Sequence, residues 1–137
     1  MSGLAYLVWS SYFQTDMTNP FSLPYVVEVD PLTYTRKEYM TEDDIWETVD
    51  MIVEVNKGTS RSVGQDLFHL VPLFTNPSYI VTPQSTEYLH EFNLLRTFPN
   101  ISMGIIDDIP AHKLDCFTVI SNEYNSALKF ERKQNGN

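Results

Sequence analysis

The apolar positions divide the chain into segments of different period. Residues 4–13 (LAYLVWSSYF) form a nearly unbroken apolar and aromatic run. Its content of β-forming side chains predicts a strand. Asn19-Pro20 and Pro24 then interrupt regular structure. Tyr25 to Val29 (YVVEV) predicts a second short strand ended by Asp30-Pro31, with Leu32 to Tyr39 returning as its partner. At Thr41 the period changes. Ile45, Trp46, Val49, Ile52 and Val53 recur at the spacing of one helix face. Thr41 stands where an N-cap belongs, with Asp44 three residues later, close to a capping box. Glu42, Asp43 and Asp44 place negative charge at the positive helix start. Lys57 and Gly58 suit the end, Gly58 as a left-handed stop. A helix over 42–57 follows.

Residues 59–64 (TSRSVG) read as a polar loop. The apolar stretch Asp66 to Phe74 contains Pro72, which predicts a short helical turn followed by an extended piece. Ser78 to Val81 suits a short edge segment. Thr82-Pro83 opens a second helix, Thr82 as cap and Pro83 in the first position. Tyr88, Leu89, Phe92 and Leu95 make its buried face, and Pro99 ends it. Ile101 to Ile106 reads as a strand and 107–112 as a connection. Asp115 to Ser121 and Ala127 to Glu131 read as paired strands across the polar turn 122–126, followed by a frayed tail at 132–137. The expected class is α+β: two main helices packed on a small mixed, mostly antiparallel sheet, in a single domain over 1–137.

Charge narrows the function classes. The chain carries 18 acids against 9 bases, a formal charge of −9. That argues against nucleic acid, whose phosphates need clustered Lys and Arg. It argues equally against an anionic membrane surface. The acidity serves solubility or faces a basic partner. Eight Tyr and eight Phe supply a core and suit an interface. The single cysteine, Cys116, excludes an intrachain disulfide and suits a reducing compartment. The apolar run from Leu4 to Trp9 is too short to span a bilayer, and no basic segment precedes it as in a signal peptide. The expected place is a cytoplasm or a particle assembled there.

No reaction centre stands out. His69, His90 and His112 form no metal-binding spacing. Glu87-x-x-His90 is half of a di-iron ligand set that needs the motif twice. Cys116 has His112 four residues before it and Asp115 beside it, a pattern compatible with a thiolate–imidazolium pair. Its apolar setting favours a small buried hydrophobe instead. Asp107-Asp108, Glu87 and Glu91 could be paired carboxylates for glycoside hydrolysis, but capping and solvation account for such acids. There is no Gly-x-Ser-x-Gly elbow and no phosphate-cradling loop. No catalytic residue, metal, cofactor or small-molecule substrate is expected. Trp46 reads as a core anchor. Arg96, Phe98, Pro99 and Asn100 read either as a helix stop or as a protruding contact point. With Phe130 in the last strand, they are the candidate partner-binding residues.

The order of motifs resembles one family. It runs from Leu23-Pro24-Tyr25 to Asp30, then Ile45 to Val55, Lys57-Gly58 to Arg61, and Gly64-Gln65-Asp66-Leu67-Phe68. The helix over 83–97 and Pro99 close it. Over about 23–131 this is similar to the GPW-like baseplate wedge family of contractile phage tails. The loop lacks the family's Pro-x-Phe-Gly piece, and Gly58 to Arg61 is one residue longer than its Gly-x-Arg. Phe98-Pro99-Asn100 stands where the family has Glu-Pro-Arg, and residues 1–20 have no counterpart. The resemblance implies a structural wedge subunit in the virion, partnered by other baseplate wedge proteins and by sheath or tube proteins. It would offer its terminal strands by strand addition. The rival readings are an acidic phage-encoded inhibitor that occludes a host protein in a salt-sensitive way, and an enzyme using Cys116 or an acid pair.

Overall fold

A computed structural model describes residues 1–17, 19–98 and 110–136. Its elements in chain order are α1 (Ser2–Tyr12), β1 (Tyr25–Val27), β2 (Lys37–Tyr39), α2 (Glu42–Asn56), α3 (Val63–Phe74), α4 (Pro83–Thr97) and α5 (Ala111–Asn135). A 3-10 turn, Pro77–Tyr79, links α3 to α4. The class is broadly α+β, but mainly helical: five helices and one two-stranded antiparallel sheet among the described residues, rather than two helices on a larger sheet.

The largest correction concerns the first segment. Residues 4–13 were expected as a strand, and they form most of α1, where every residue from Gly3 to Ser10 is buried. The helix packs against α3, α4 and α5. Tyr6 joins the core built from the hairpin, α2 and α3, while Leu4, Leu7 and Val8 join Leu89, Cys116 and Ile120 in a second core. A helix surrounded on all sides needs no polar stripe, so its sequence loses the helical period. A short apolar run then fits strand and buried helix equally well. Gly3 permits the close approach that this position demands: a Cβ there would lie 2.1 Å from the Ile80 carbonyl oxygen.

The second correction concerns the chain's end. The expected strands 115–121 and 127–131, the turn 122–126 and most of the tail are one helix, α5, reaching Asn135. Its buried positions are Cys116, Ile120, Glu123 and Ala127, spaced four, three and four. The helical period is present, but an acid occupies its third position. The expected strand 101–106 and the helix stop at Pro99 lie outside the described residues.

α3 begins earlier and runs further than expected. Ser62 caps it, its hydroxyl accepting from the Gln65 N–H at 3.3 Å. Pro72 lies within the helix near its end, so only its own missing donor is lost before the helix stops at Thr75. Ser78 to Val81 holds most of the 3-10 turn rather than an edge segment. α2 and α4 match expectation closely. The Asp44 carboxylate accepts from the Thr41 and Met40 N–H groups at 3.2 and 2.8 Å, which lowers its pKa. Thr82 caps α4 by accepting from the Ser85 N–H at 3.1 Å. Gly58 is not left-handed; no described glycine has positive φ.

The hairpin pairs Tyr25 with Tyr39, Val26 with Glu38 and Val27 with Lys37. A row of stacked rings, Phe21–Tyr25–Tyr39–Phe74, ties it to α3, with centroids 4.8, 5.2 and 5.8 Å apart. Burial pushes the Tyr25 phenol up to about 12.

Candidate functional site

The tip of the hairpin is built around a buried acid. Asp30 is 1% exposed. One carboxylate oxygen accepts the Tyr39 hydroxyl, and the other accepts the N–H groups of Leu32 and Thr33 at 3.1 and 3.2 Å. Burial alone would raise the Asp30 pKa, but these hydrogen bonds and the Lys37 charge outweigh it and hold the carboxyl below its ordinary value. The Tyr39 phenol is pushed far up, first by burial and then by its bond to Asp30. Tyr39 and Lys37 also reach the Thr48 hydroxyl on α2, at 3.1 and 2.7 Å. The anchored turn is closed by Tyr34 N–H donating to the Asp30 carbonyl at 2.8 Å and Asp30 N–H donating to the Thr35 carbonyl at 2.9 Å.

This closure forces Tyr34 into left-handed backbone, with φ at 60°. For a residue with a Cβ that conformation costs roughly 1–2 kcal/mol. Tyr34 is nevertheless 78% exposed, so its ring contributes little packing in return. Strain of this kind, over-determined by its surroundings, concentrates at functional positions. Asp30-Pro31 was legible in the sequence as a strand ending, whereas nothing in it singled out Tyr34.

Beside the tip lies a groove of about 330 Å³ between α2 and α3. Leu32, Ile52, Val55 and Leu70 form its apolar walls, and Arg61, Asp66 and His69 part of its rim. Val29, Met51, Val55 and Leu73 leave large apolar side chains exposed on the hairpin, α2 and α3. Of these four, Val55 also lines the groove, where exposed apolar surface suits contact with another protein.

The loop between α2 and α3 is pinned rather than loose. The Asn56 amide reaches the carboxylate of Asp66 at 2.9 Å and the carbonyls of Arg61 and Ser62 at 3.1 and 3.2 Å. Arg61 Nε donates to Asp66 Oδ1 at 2.7 Å. Burial opposes ionisation of Asp66, yet the bonds from Arg61 and Asn56 and the Arg61 charge keep its pKa below the usual carboxylate value. The Asp of the Gly-x-Asp-Leu segment therefore braces the loop.

The residues expected to bind partners do not form one patch. The Arg96 guanidinium lies over the rings of Tyr124 and Phe92, 4.9 and 5.8 Å from their centroids, and so ties α4 to α5. Phe98 is exposed at the end of α4, and Pro99 and Asn100 lie outside the described residues. Phe130 sits on a helix, not on a terminal strand. Its ring packs against Trp9, His69 and Phe13, with centroids 5.6, 5.4 and 6.1 Å away. Trp46 is half-buried against the first core.

The sulfur of Cys116 does come within 3.8 Å of His112 Nε2. It also lies 3.9 Å from the Met1 sulfur, and the residue is 4% exposed. Burial pushes its thiol pKa up, which disfavours the thiolate a nucleophile needs. Among the described residues no group of three or more His, Cys, Asp or Glu could hold a metal ion, and no helix is long and apolar enough to cross a membrane. The chain matches no family model, no curated protein and no solved structure.

Proposed function

We propose that this chain is a structural, protein-docking subunit whose contact face is the hairpin tip with its neighbouring groove, and that it serves in a contractile-tail baseplate. The observation that carries the docking reading is Tyr34, an aromatic ring held in solvent on strained backbone by a buried, ionised Asp30. An exposed tyrosine offers large contact area, and its anchored backbone turn lowers the ordering cost on binding. The baseplate assignment rests on the sequence resemblance, carried by the opening strand from Leu23-Pro24-Tyr25 to Asp30, the helix Ile45 to Val55, the loop Lys57-Gly58 to Arg61 and the Gly64-Gln65-Asp66-Leu67-Phe68 step. Strand addition by 115–131 is replaced in the proposal by helix and hairpin contacts, because that stretch is helical.

The test uses Tyr34→Gly in the full chain, tagged and expressed during tail assembly. Glycine takes the left-handed conformation freely, so this variant keeps the turn while losing the ring. The wild-type chain is expected to co-sediment with assembled tail particles, and the variant to remain in the soluble pool with its melting temperature unchanged or raised. A wild-type chain that never joins particles refutes the baseplate assignment. A variant that joins as well as wild type refutes the role of Tyr34.

A further inference from the structure

Three metal-ligating side chains meet where the start of α1 lies against the first turns of α5. His112 and Cys116 stand four residues apart on α5, and Cys116 Sγ lies 3.8 Å from His112 Nε2. Helical spacing alone accounts for that pair. It does not account for Met1, 115 residues away in the chain, whose Sδ lies 3.9 Å from the same thiol sulfur. All three residues line one cavity of about 180 Å³, with Leu4 and Ile80 among its apolar walls and Tyr88 contributed by α4. Cys116 is buried, whereas Met1 and His112 are exposed, so the cluster has one inner donor and two outer ones.

Sulfur and imidazole donors that share one ion, at bonds of about 2.3 and 2.0–2.1 Å, sit roughly 3.5–4.0 Å apart. Both observed separations fall in that range. The donor types then select the ion. Thiolate and thioether are soft ligands that favour Cu(I), and imidazole suits copper as well. Charge selects in the same direction. One thiolate with two neutral donors cancels a monovalent cation. A divalent cation would leave net positive charge beside the core of Leu4, Leu89 and Ile120, where unpaired charge is costly. We propose that Met1, His112 and Cys116 form a three-coordinate site for a single Cu(I) ion. On binding, the ion replaces the Cys116 thiol proton, which leaves to solvent, and no oxidation state changes. The site shares no residue with the hairpin tip or its groove. Its failure therefore leaves the docking face described above untouched.

The experiment uses the full chain, produced behind a cleavable N-terminal tag so that Met1 is retained and can be replaced. Reduced protein is titrated without oxygen into the coloured Cu(I)–bicinchoninate complex, and native mass spectrometry counts the bound ions. Circular dichroism confirms that the variants Met1→Leu, His112→Gln and Cys116→Ala fold. Wild type is expected to withdraw one Cu(I) per chain and to keep it when an equal amount of Zn(II) is added. Met1→Leu and His112→Gln should each weaken binding by at least about tenfold, and Cys116→Ala should abolish it. A wild-type chain that takes up no Cu(I) overturns the proposal. So does Met1→Leu or His112→Gln binding as tightly as wild type, since the thiol would then act alone. Displacement of Cu(I) by the equal amount of Zn(II) overturns it too.

Discussion

Three helices meet at Gly64, and replacing it by alanine measures how tightly. A Cβ at this position would lie 2.3 Å from Glu123 Oε1, 2.6 Å from Trp9 Cδ1 and 2.7 Å from Trp9 Nε1, all inside the 3.0 Å that real contacts respect. Glu123 Oε1 accepts the indole N–H of Trp9 at 2.8 Å, and both residues are buried. Two terms oppose the variant: overpacking costs about 1–3 kcal/mol, and displacing the carboxylate orphans the indole N–H at about 1–3 kcal/mol. One term favours it, since alanine in a helix gains about 0.5–1 kcal/mol over glycine. The net is a destabilisation of about 1–5 kcal/mol, a fall in Tm of roughly 3–20 °C for a chain of this size. Thermal melts and urea titrations of Gly64→Ala read it directly. A Tm equal to or above that of wild type would refute the reasoning. Glu123→Ala in the same background should remove part of the clash, making the double variant less destabilised than the two singles added, by at least about 1 kcal/mol. Gly58→Ala is the control: the nearest atom to its added Cβ is the Val55 carbonyl oxygen at 3.7 Å, an ordinary contact, and its φ is not left-handed. It should be neutral or stabilising by about 0.5 kcal/mol.

Two further outcomes follow from the buried ionisable groups. Asp30 and Asp66 both have folded pKa values below the unfolded one. Their contribution is fully present above the unfolded value of about 3.9 and is lost as pH falls through the lower folded values. Urea midpoints should therefore hold through neutral pH and drop steeply below about pH 4. Asp30→Asn should be less stable at neutral pH and show a shallower acid slope, and an unchanged slope would exclude Asp30 as a source. Cys116, buried with a raised thiol pKa, should react with iodoacetamide near neutral pH only after unfolding. Rapid alkylation of the native chain, read by mass spectrometry, would contradict that placement and reopen the thiol enzyme reading.

The legible parts of the chain are those whose burial is one-sided. α2 shows an apolar face, an acidic outer stripe and an acidic first turn with Thr41 before it, so its period and its start can be read directly. α4 announces itself through Thr82-Pro83, and the hairpin through Tyr25 to Val29 and its return over Leu32 to Tyr39, of which Tyr25–Val27 and Lys37–Tyr39 pair and the rest is turn. The candidate site was less legible. Asp30 was visible only as the end of a strand, because its role depends on Tyr39 and Thr48 closing around it. Phe130 was singled out, but for a strand that is a helix, and its ring serves an aromatic cluster with α1 and α3.

By itself, then, the amino-acid sequence determined the acidic surface, the two capped helices and the hairpin, since each depends on residues within a turn or two. Only the tertiary structure decided the first and last segments. α1 is apolar on every side because helices surround it, and that removes the period by which a helix is recognised. α5 carries Glu123 within its buried stripe, an acid that looks like a break in the pattern until Trp9, 114 residues away, supplies the hydrogen bond that lets it stay there.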